Sequence, residues 1–410
     1  CFKGVKHLPP QYTLEFGLQD NPLGLNITPR EVWTPDKSAI LRDAEIDELL
    51  HRLQKQAETI GRVAPGDLNV DITGGLDSRL VAALCVNSGL REKLKSLSTS
   101  GEPQAHEVQA GKLVADHLGL QHTVKVRGPA SQPSFDRVIE NVKRSVYRYD
   151  ASICPTDGGV GTSQKSRLIL SGSGGEVYRR HCKPHMKVTL RTQEEMLNLF
   201  RDYHQRTDPL SLEKPDLRAH HRESLQMLAK NYAESGADLN DITDILFMRY
   251  RLPLWNGIMM NNIYGGVRLY PLLDKLGGSM AFRLPHKHRV GDRLHFHLLR
   301  RLDPGLCKIP FLKNVWSDLV REEAKSRFNM ILPGRPLSVK GPSTVGAISP
   351  MVGSLYSDLW APILDFILQT ESSEFWSLFE RYRLEALWGS KPQDLNGIVS
   401  GKQIYSLIAI

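Results

Sequence analysis

The chain has 410 residues, a formal net charge of +8, 40% hydrophobic and 24% charged residues, an ordinary balance for a soluble globular protein of up to two or three domains. No run of about 18 apolar residues marks a membrane-spanning helix, and no secretory signal is visible. The five cysteines, Cys1, Cys85, Cys154, Cys182 and Cys307, are widely spaced and never form a Cys-x-x-Cys pair. This argues against zinc, iron–sulfur and disulfide frameworks and fits a reducing cytoplasm; Cys85 reads as a small core residue. The basic excess fits either an ordinary surface or a site for anions. No zinc finger, RNA module or aromatic-basic stripe is present, so no nucleic-acid partner is expected.

Residues 1–40 are Pro-rich and extended, an arm or connector rather than a domain. Asp43 to Ala57 has helical periodicity, with Ile46, Leu49, Leu50 and Leu53 on one side. Strands and helices then alternate. Leu68–Thr73 is strand-like, Leu80–Asn87 a helix and Lys95–Ser100 a strand. Ala105–Leu118 is a helix closed by Gly119; His122–Val126 is a strand, Phe135–Tyr147 a helix and Arg167–Leu170 a strand. Such alternation predicts an α/β fold with a doubly wound parallel sheet spanning residues 41–190. Residues 191–410 read as a mainly helical extension, in which Ser338 to Val352, rich in Gly, Ser and Pro, reads as a mobile loop. In such sheets ligands bind beyond the carboxyl ends of the strands. Thr73–Gly75, Ser98–Ser100 and Ser171–Gly175 would all fall on that edge.

Two of these junctions carry chemistry. Asp71-Ile72-Thr73-Gly74-Gly75-Leu76-Asp77-Ser78-Arg79 joins a strand to a helix. Adjacent glycines let the backbone turn tightly and approach a ligand, and the helix beyond offers unpaired N–H groups and a positive dipole end to an anion. Thr73 and Ser78 add hydroxyls, and Asp77 can hold a divalent cation. The Gly-Lys-Ser/Thr ending of a Walker loop is absent. Leu168-Ile169-Leu170-Ser171-Gly172-Ser173-Gly174-Gly175-Glu176 repeats the logic of strand, Gly-Ser turn and carboxylate. Together the loops can place Asp77 and Glu176 around one magnesium cluster on a triphosphate.

The pair resembles the asparagine synthetase family, specifically its ATP-pyrophosphatase synthetase domain, whose relatives include beta-lactam synthetases and lasso-peptide cyclases. Thr73 to Ser78 is similar to the family's Ser-Gly-Gly-Leu-Asp-Ser loop, and Ser171 to Val177 to its Ser-Gly-x-Gly-x-Asp-Glu loop. Phe2 to Pro10 looks like the segment leading out of the family's glutaminase domain. Val267 to Asp274 is similar to its Val-Arg-x-Pro-Phe-Leu-Asp element. The resemblance implies an ATP-pyrophosphatase core completed by residues 191–410. It also implies ATP and Mg2+ as cofactors. ATP and pyrophosphate would bind at Thr73, Gly74, Gly75, Asp77, Ser78, Ser171, Gly172, Ser173 and Gly174. Adenine would lie against Leu97, Ser98 and Thr99, and Asp77 and Glu176 would take the metal. Lys308, in Lys308-Ile309-Pro310-Phe311, matches the family's Lys-x-x-Phe and is the implied catalytic cation, with a plain surface lysine, Lys313 and Arg300-Arg301 as alternatives. Arg179 and Arg180 reach phosphate or a substrate carboxylate, or form a solvated face.

Departures shape the expected function. No glutaminase domain is recognisable, and Cys1 precedes linker-like sequence, which argues against an N-terminal nucleophile; a glutaminase-like domain upstream of Cys1 or a partner protein stays open. Glu176 stands where the family has Asp, and Val177 where it has Glu. Ser173 replaces the Glu of asparagine synthetases and the Tyr of beta-lactam synthetases, and Gly265-Gly266 stand where the latter have a glutamate. His106-Glu107 and His122 read as polar residues beside a helix N-terminus, or as approaching the site. The expectation is a cytoplasmic, AMP-forming amide synthetase. It would take ATP and a carboxylate other than aspartate, in a peptide or natural-product precursor; a lasso-type macrolactam cyclase is a special case. The alternatives are a glutamine-dependent amidotransferase, a nucleotide-binding scaffold without catalysis and, more weakly, a tRNA-modifying ATP-pyrophosphatase.

Overall fold

The computed structural model describes residues 12–16, 25–29, 37–64, 66–100, 105–125, 134–136, 138–140, 143, 168–179, 190–198, 213–248, 252, 267–312, 315–338 and 360–388. Most of the predicted helix over 135–147, nearly all of the loop over 338–352, and Cys1, Cys154, Cys182, Arg180, Gly265, Gly266 and Lys313 lie outside them. The extended N-terminal arm contributes a hairpin: β1 (Tyr12–Phe16) pairs antiparallel with β2 (Leu25–Pro29). Helix α1 (Asp43–Val63) buries Ile46, Leu49, Leu53, Ala57 and Gly61, a stripe at spacings of three and four, and continues one and a half turns past the predicted end.

The central sheet has five strands, all parallel. They are β3 (Leu68–Asp71), β4 (Leu94–Ser100), β5 (His122–Lys125), β6 (Leu168–Leu170) and β7 (Val267–Leu269), in the order β5-β4-β3-β6-β7. Between strands run α2 (Leu76–Asn87) and α3 (His106–Leu118); the latter stops at Gly119, whose φ of +64° is the left-handed cap that a side chain would disfavour. The sheet is the expected doubly wound one. β3 is central, and Leu68 and Val70 are fully buried, as parallel strands covered on both faces require. The chain winds from β3 to β5 in one direction, then returns to place β6 and β7 on the other side of β3. The order therefore reverses between β3 and β6, and a crevice opens beyond their carboxyl ends.

Two elements differ from the sequence expectation. Helix α2 begins at Leu76, not Leu80, so Asp77, Ser78 and Arg79 form its first turn. Polar residues read as loop, yet the first turn is where N–H groups lack intrahelical partners and an acidic side chain is favoured. The fifth strand, β7, comes from the part read as helical; three residues are too few for period-two alternation to show.

Helices described in the C-terminal part include α4 (Pro215–Glu234), α5 (Leu239–Leu246), α6 (Lys275–Arg283), α7 (His286–Val290), α8 (Arg293–Leu302), α9 (Asp318–Phe328), α10 (Trp360–Leu368), α11 (Ser373–Leu378) and α12 (Arg381–Trp388). α8 is buried along Leu294–Leu299 and shares the main core with Leu80–Cys85 of α2. Cys85 is fully buried in that core and its thiol is pushed up to about 12 by burial. Among the described residues no helix is long and apolar enough to cross a membrane.

α5 and α7 are tied by a buried charge cluster. The Arg289 guanidinium, 1% exposed, donates to Asp241 and Asp244, lies 4.0 Å over the Phe282 ring, and shares Asp241 with Lys37. Removing one partner of a buried ion pair strands the other, at a cost of about 3–5 kcal/mol. Arg289→Leu is therefore expected to lower the thermal midpoint by several degrees, read by calorimetry, and Asp241→Asn/Asp244→Asn in the same background to recover part of it.

Candidate active site

Both glycine loops open at the switch point. In the first, the Thr73 N–H donates to Ser78 Oγ (3.1 Å), the Gly75 N–H to Thr73 Oγ1 (3.2 Å), and the Gly74 N–H to Glu107 Oε2 (2.7 Å). Two of these donors are met within the loop and the third by Glu107, so an entering anion must compete with a carboxylate for the Gly74 amide. In the second, the Ser171 N–H donates to Leu269 O (3.0 Å), Ser173 N–H to Ser171 Oγ (3.3 Å), and Gly174 N–H to Glu176 Oε2 (2.7 Å). The loops touch backbone to backbone: a Cβ on Gly172 would stand 2.4 Å from Ser78 N and 2.7 Å from Asp77 C. Gly174 has φ +96°, a conformation glycine adopts without strain.

Between the loops lies a cavity of about 350 Å³, walled by carboxylates Asp71, Asp77, Glu107, Glu176 and Asp292 and by Arg179. Asp77 is clamped. Arg179 Nε meets its Oδ1 at 3.2 Å and Arg179 Nη2 its Oδ2 at 2.6 Å. The fully buried His295, from α8, brings Nε2 to 2.9 Å from Oδ1, off the line of a hydrogen bond. Burial opposes ionisation of Asp77, yet the Arg179 charge and the His295 ring hold the carboxyl well below the usual carboxylate range. Burial likewise opposes the charge on Arg179, and Asp77 outweighs it, raising the guanidinium above its ordinary value. Asp71 accepts from Ser98 Oγ and Lys125 Nζ, both at 3.2 Å, and from Arg268.

Glu176 behaves oppositely. Burial pushes its carboxyl up, and nearby Asp77 adds to the rise, against the pull of the Gly174 amide. A folded-state pKa above the unfolded value means that Glu176 contributes stability below its ordinary pKa and loses that contribution as pH rises through the folded value. Glu176→Gln is therefore expected to melt above the wild-type protein at neutral pH, the gap closing as pH falls toward 4.5 and below. Melting curves across that range check it; a gap that widens on acidification contradicts it.

These donors do not suit a metal anchored on Asp77. Mg2+ asks for near-octahedral oxygen coordination, but both Asp77 oxygens are held by the Arg179 guanidinium and one Glu176 oxygen is spent on Gly174. Among the described residues, no three metal-binding side chains converge.

Thr73, Gly74, Gly75, Asp77, Ser78, Ser171, Gly172, Ser173 and Glu176 all line the cavity. Gly174 sits behind it, against Leu273. Leu97, Ser98 and Thr99 occupy β4 at the same sheet edge but outside the cavity lining; Thr99 Oγ1 donates to Ile72 O (2.8 Å) and lies 3.0 Å from His122 Nε2. Lys308 ends a short 3-10 turn, is exposed, and does not line the cavity, whereas Phe311 and Leu312 do. Arg300 stacks on Phe328 and Arg301 pairs with Asp43 and Asp47, so neither is directed at the site. Asp274 caps α6 through Leu276 N and Gly277 N and receives Arg52 and Gln56 from α1.

Sequence reasoning assigned no role to Arg79, Asp71, His295 or Asp292. Arg79 left a signal, as a charge at the head of the apolar run Leu80–Cys85. Its fully buried guanidinium donates to Leu306 O (3.0 Å), Ile309 O (2.6 Å) and Pro310 O (3.2 Å) and stacks 4.4 Å from the Phe311 ring. It thereby fixes the segment carrying Lys308, Phe311 and Leu312; the Leu312 N–H in turn donates to Gly74 O (3.2 Å).

A family model described as Asparagine synthase matches residues 62–302, more than half of the chain. The chain belongs to the asparagine synthase family. The match runs from the end of α1 through both glycine loops and β7 to the end of α8, and so covers every strand of the parallel sheet and His295. The chain is also similar to an NH(3)-dependent NAD(+) synthetase of Mesorhizobium japonicum (strain LMG 29417 / CECT 9101 / MAFF 303099), with 28% identity over 109 residues, 26% of this chain and 34% of that protein. It thus spans about a third of that relative's length.

Proposed function

We propose that this member of the asparagine synthase family is an ATP-dependent, AMP-forming amide synthetase. The observation that carries the reading is the meeting of two glycine loops at the switch point of an all-parallel sheet, with a helix N-terminus aimed at the crevice between them. That arrangement supplies backbone donors to a polyphosphate. The substrate carboxylate oxygen attacks the α-phosphorus of ATP, the bond to the bridging oxygen breaks, and pyrophosphate leaves. The amine nitrogen then attacks the acyl carbon, AMP departs with its oxygen, and the nitrogen gives up a proton. Pyrophosphate takes the Gly74 amide from Glu107, while Thr73 and Ser78 keep the loop in shape. The triphosphate brings Mg2+ as its own counter-ion. Lys308 stands outside the cavity on the segment that Arg79 holds, and takes no part in this reading. The acceptor is a peptide or natural-product precursor, with intramolecular lactam formation as a special case.

A second reading takes free ammonia as the amine, on the strength of the NH(3)-dependent relative. Exchange of labelled pyrophosphate into ATP, run against a panel of carboxylates, tests the adenylation. Release of ADP and phosphate in place of AMP and pyrophosphate overturns it; ammonium or an amino-bearing peptide as the productive co-substrate separates the two readings.

A further inference from the structure

We propose that Arg179, and not a metal ion on Asp77, is the cation that meets the phosphates where the two glycine loops cross; this rests on the ATP reading above. Asp77 stands in the first turn of α2, and both its oxygens are taken by the Nε–Nη2 edge of Arg179. A guanidinium presents donors on more than one edge, so it can hold a carboxylate with one and offer another to phosphate oxygens. Here Nη1 has no protein partner among the described residues and is not sealed from the cavity. The Arg179 side chain is 16% exposed, and among the described lining residues it is the one cation facing five carboxylates.

The second loop is shaped to permit this. Gly175 lets the chain pass so close to Asp77 that an added Cβ would stand 2.7 Å from Oδ1, and four residues on Arg179 folds back onto the same carboxylate. A cation fixed in this way needs no ion capture before nucleotide arrives and no rearrangement afterward. Asp77 is then the anchor of a cation, and the divalent ion that travels with the triphosphate rests on phosphate oxygens.

The test uses the full chain and α,β-methylene ATP with Mg2+, read by titration calorimetry, with Mn2+ bound per nucleotide counted by electron paramagnetic resonance. Arg179→Gln is expected to weaken nucleotide binding tenfold or more, Arg179→Lys to recover part of the loss, and Asp77→Asn to weaken binding less than Arg179→Gln while leaving the Mn2+ count unchanged. Because Arg179→Gln leaves Asp77 buried without its partner, R179Q/D77N removes both charges; its affinity should match Arg179→Gln. The proposal is overturned if Asp77→Asn loses one Mn2+ per nucleotide, or if Arg179→Gln and R179Q/D77N bind as tightly as wild type. Failure of the wild-type protein to bind nucleotide at all sinks the ATP reading, and this inference with it.

Discussion

Replacing Arg79 by methionine is expected to destabilise the protein by about 3 kcal/mol, since carbonyls that lose a charged donor while buried each cost on the order of 1–3 kcal/mol, partly offset by removing a buried charge. The three acceptors, Leu306 O, Ile309 O and Pro310 O, lie within one turn and its exit, so the damage is local before it is global. The segment from Leu306 to Leu312 carries two residues of the cavity wall, Phe311 and Leu312, and touches the first glycine loop through Leu312 and Gly74. Amide hydrogen exchange should accelerate there well above the change in the sheet strands, and the affinity for nucleotide should fall with it. Uniform loss of protection across the fold, or unchanged exchange over residues 306–312, would show that Arg79 does not hold this wall.

The second large effect is expected at Gly172. Alanine there places a methyl group 2.4 Å from Ser78 N and 2.7 Å from Asp77 C, both backbone atoms that cannot turn aside. The two loops must separate, and the Arg179–Asp77 clamp loosens with them. Pyrophosphate exchange is expected to drop by two orders of magnitude or more, which corresponds to roughly 3 kcal/mol of transition-state stabilisation, while the core of β3, α2 and α8 keeps the melting midpoint within a few degrees of wild type. Gly66→Ala, where an added Cβ meets nothing within 4 Å, is the matched control. Near-wild-type exchange in Gly172→Ala would mean that contact between the loops is dispensable.

The sheet was legible where the chain repeats a strand–helix rhythm, from Leu68 to Leu118, because burial on both faces forces continuous apolar runs and Gly119 marks a helix end. The fifth strand was not, since Val267–Leu269 is recognisable only by its pairing with β6. Within the site, Thr73–Gly75 and Ser171–Gly174 announce themselves through residues with unusual backbone freedom. The partners of Asp77 do not: Arg179 is 102 residues away in the chain, and His295 reaches it from a part read only as mainly helical. An acidic residue beside glycines looks the same in sequence whether its counter-charge is an ion or a guanidinium. Glu107 was read as a polar residue beside a helix N-terminus or as approaching the site, because the Gly74 amide that it occupies becomes its neighbour only once α3 packs over β4 and against the first glycine loop.

The late arrival of β7 bears on how the polypeptide is made. β6 aligns Leu168 with Leu68 on one side and Val267 on the other, so a ribosome must add roughly 100 further residues before β6 is covered, about 5–20 s at ordinary elongation rates. Throughout that interval the nascent sheet carries an open, apolar border, the kind that recruits foreign strands. Synthesis of this protein therefore contains a window in which a holding chaperone, or simple dilution, governs the yield of folded molecules, and slowing translation between residues 170 and 267 should lower it.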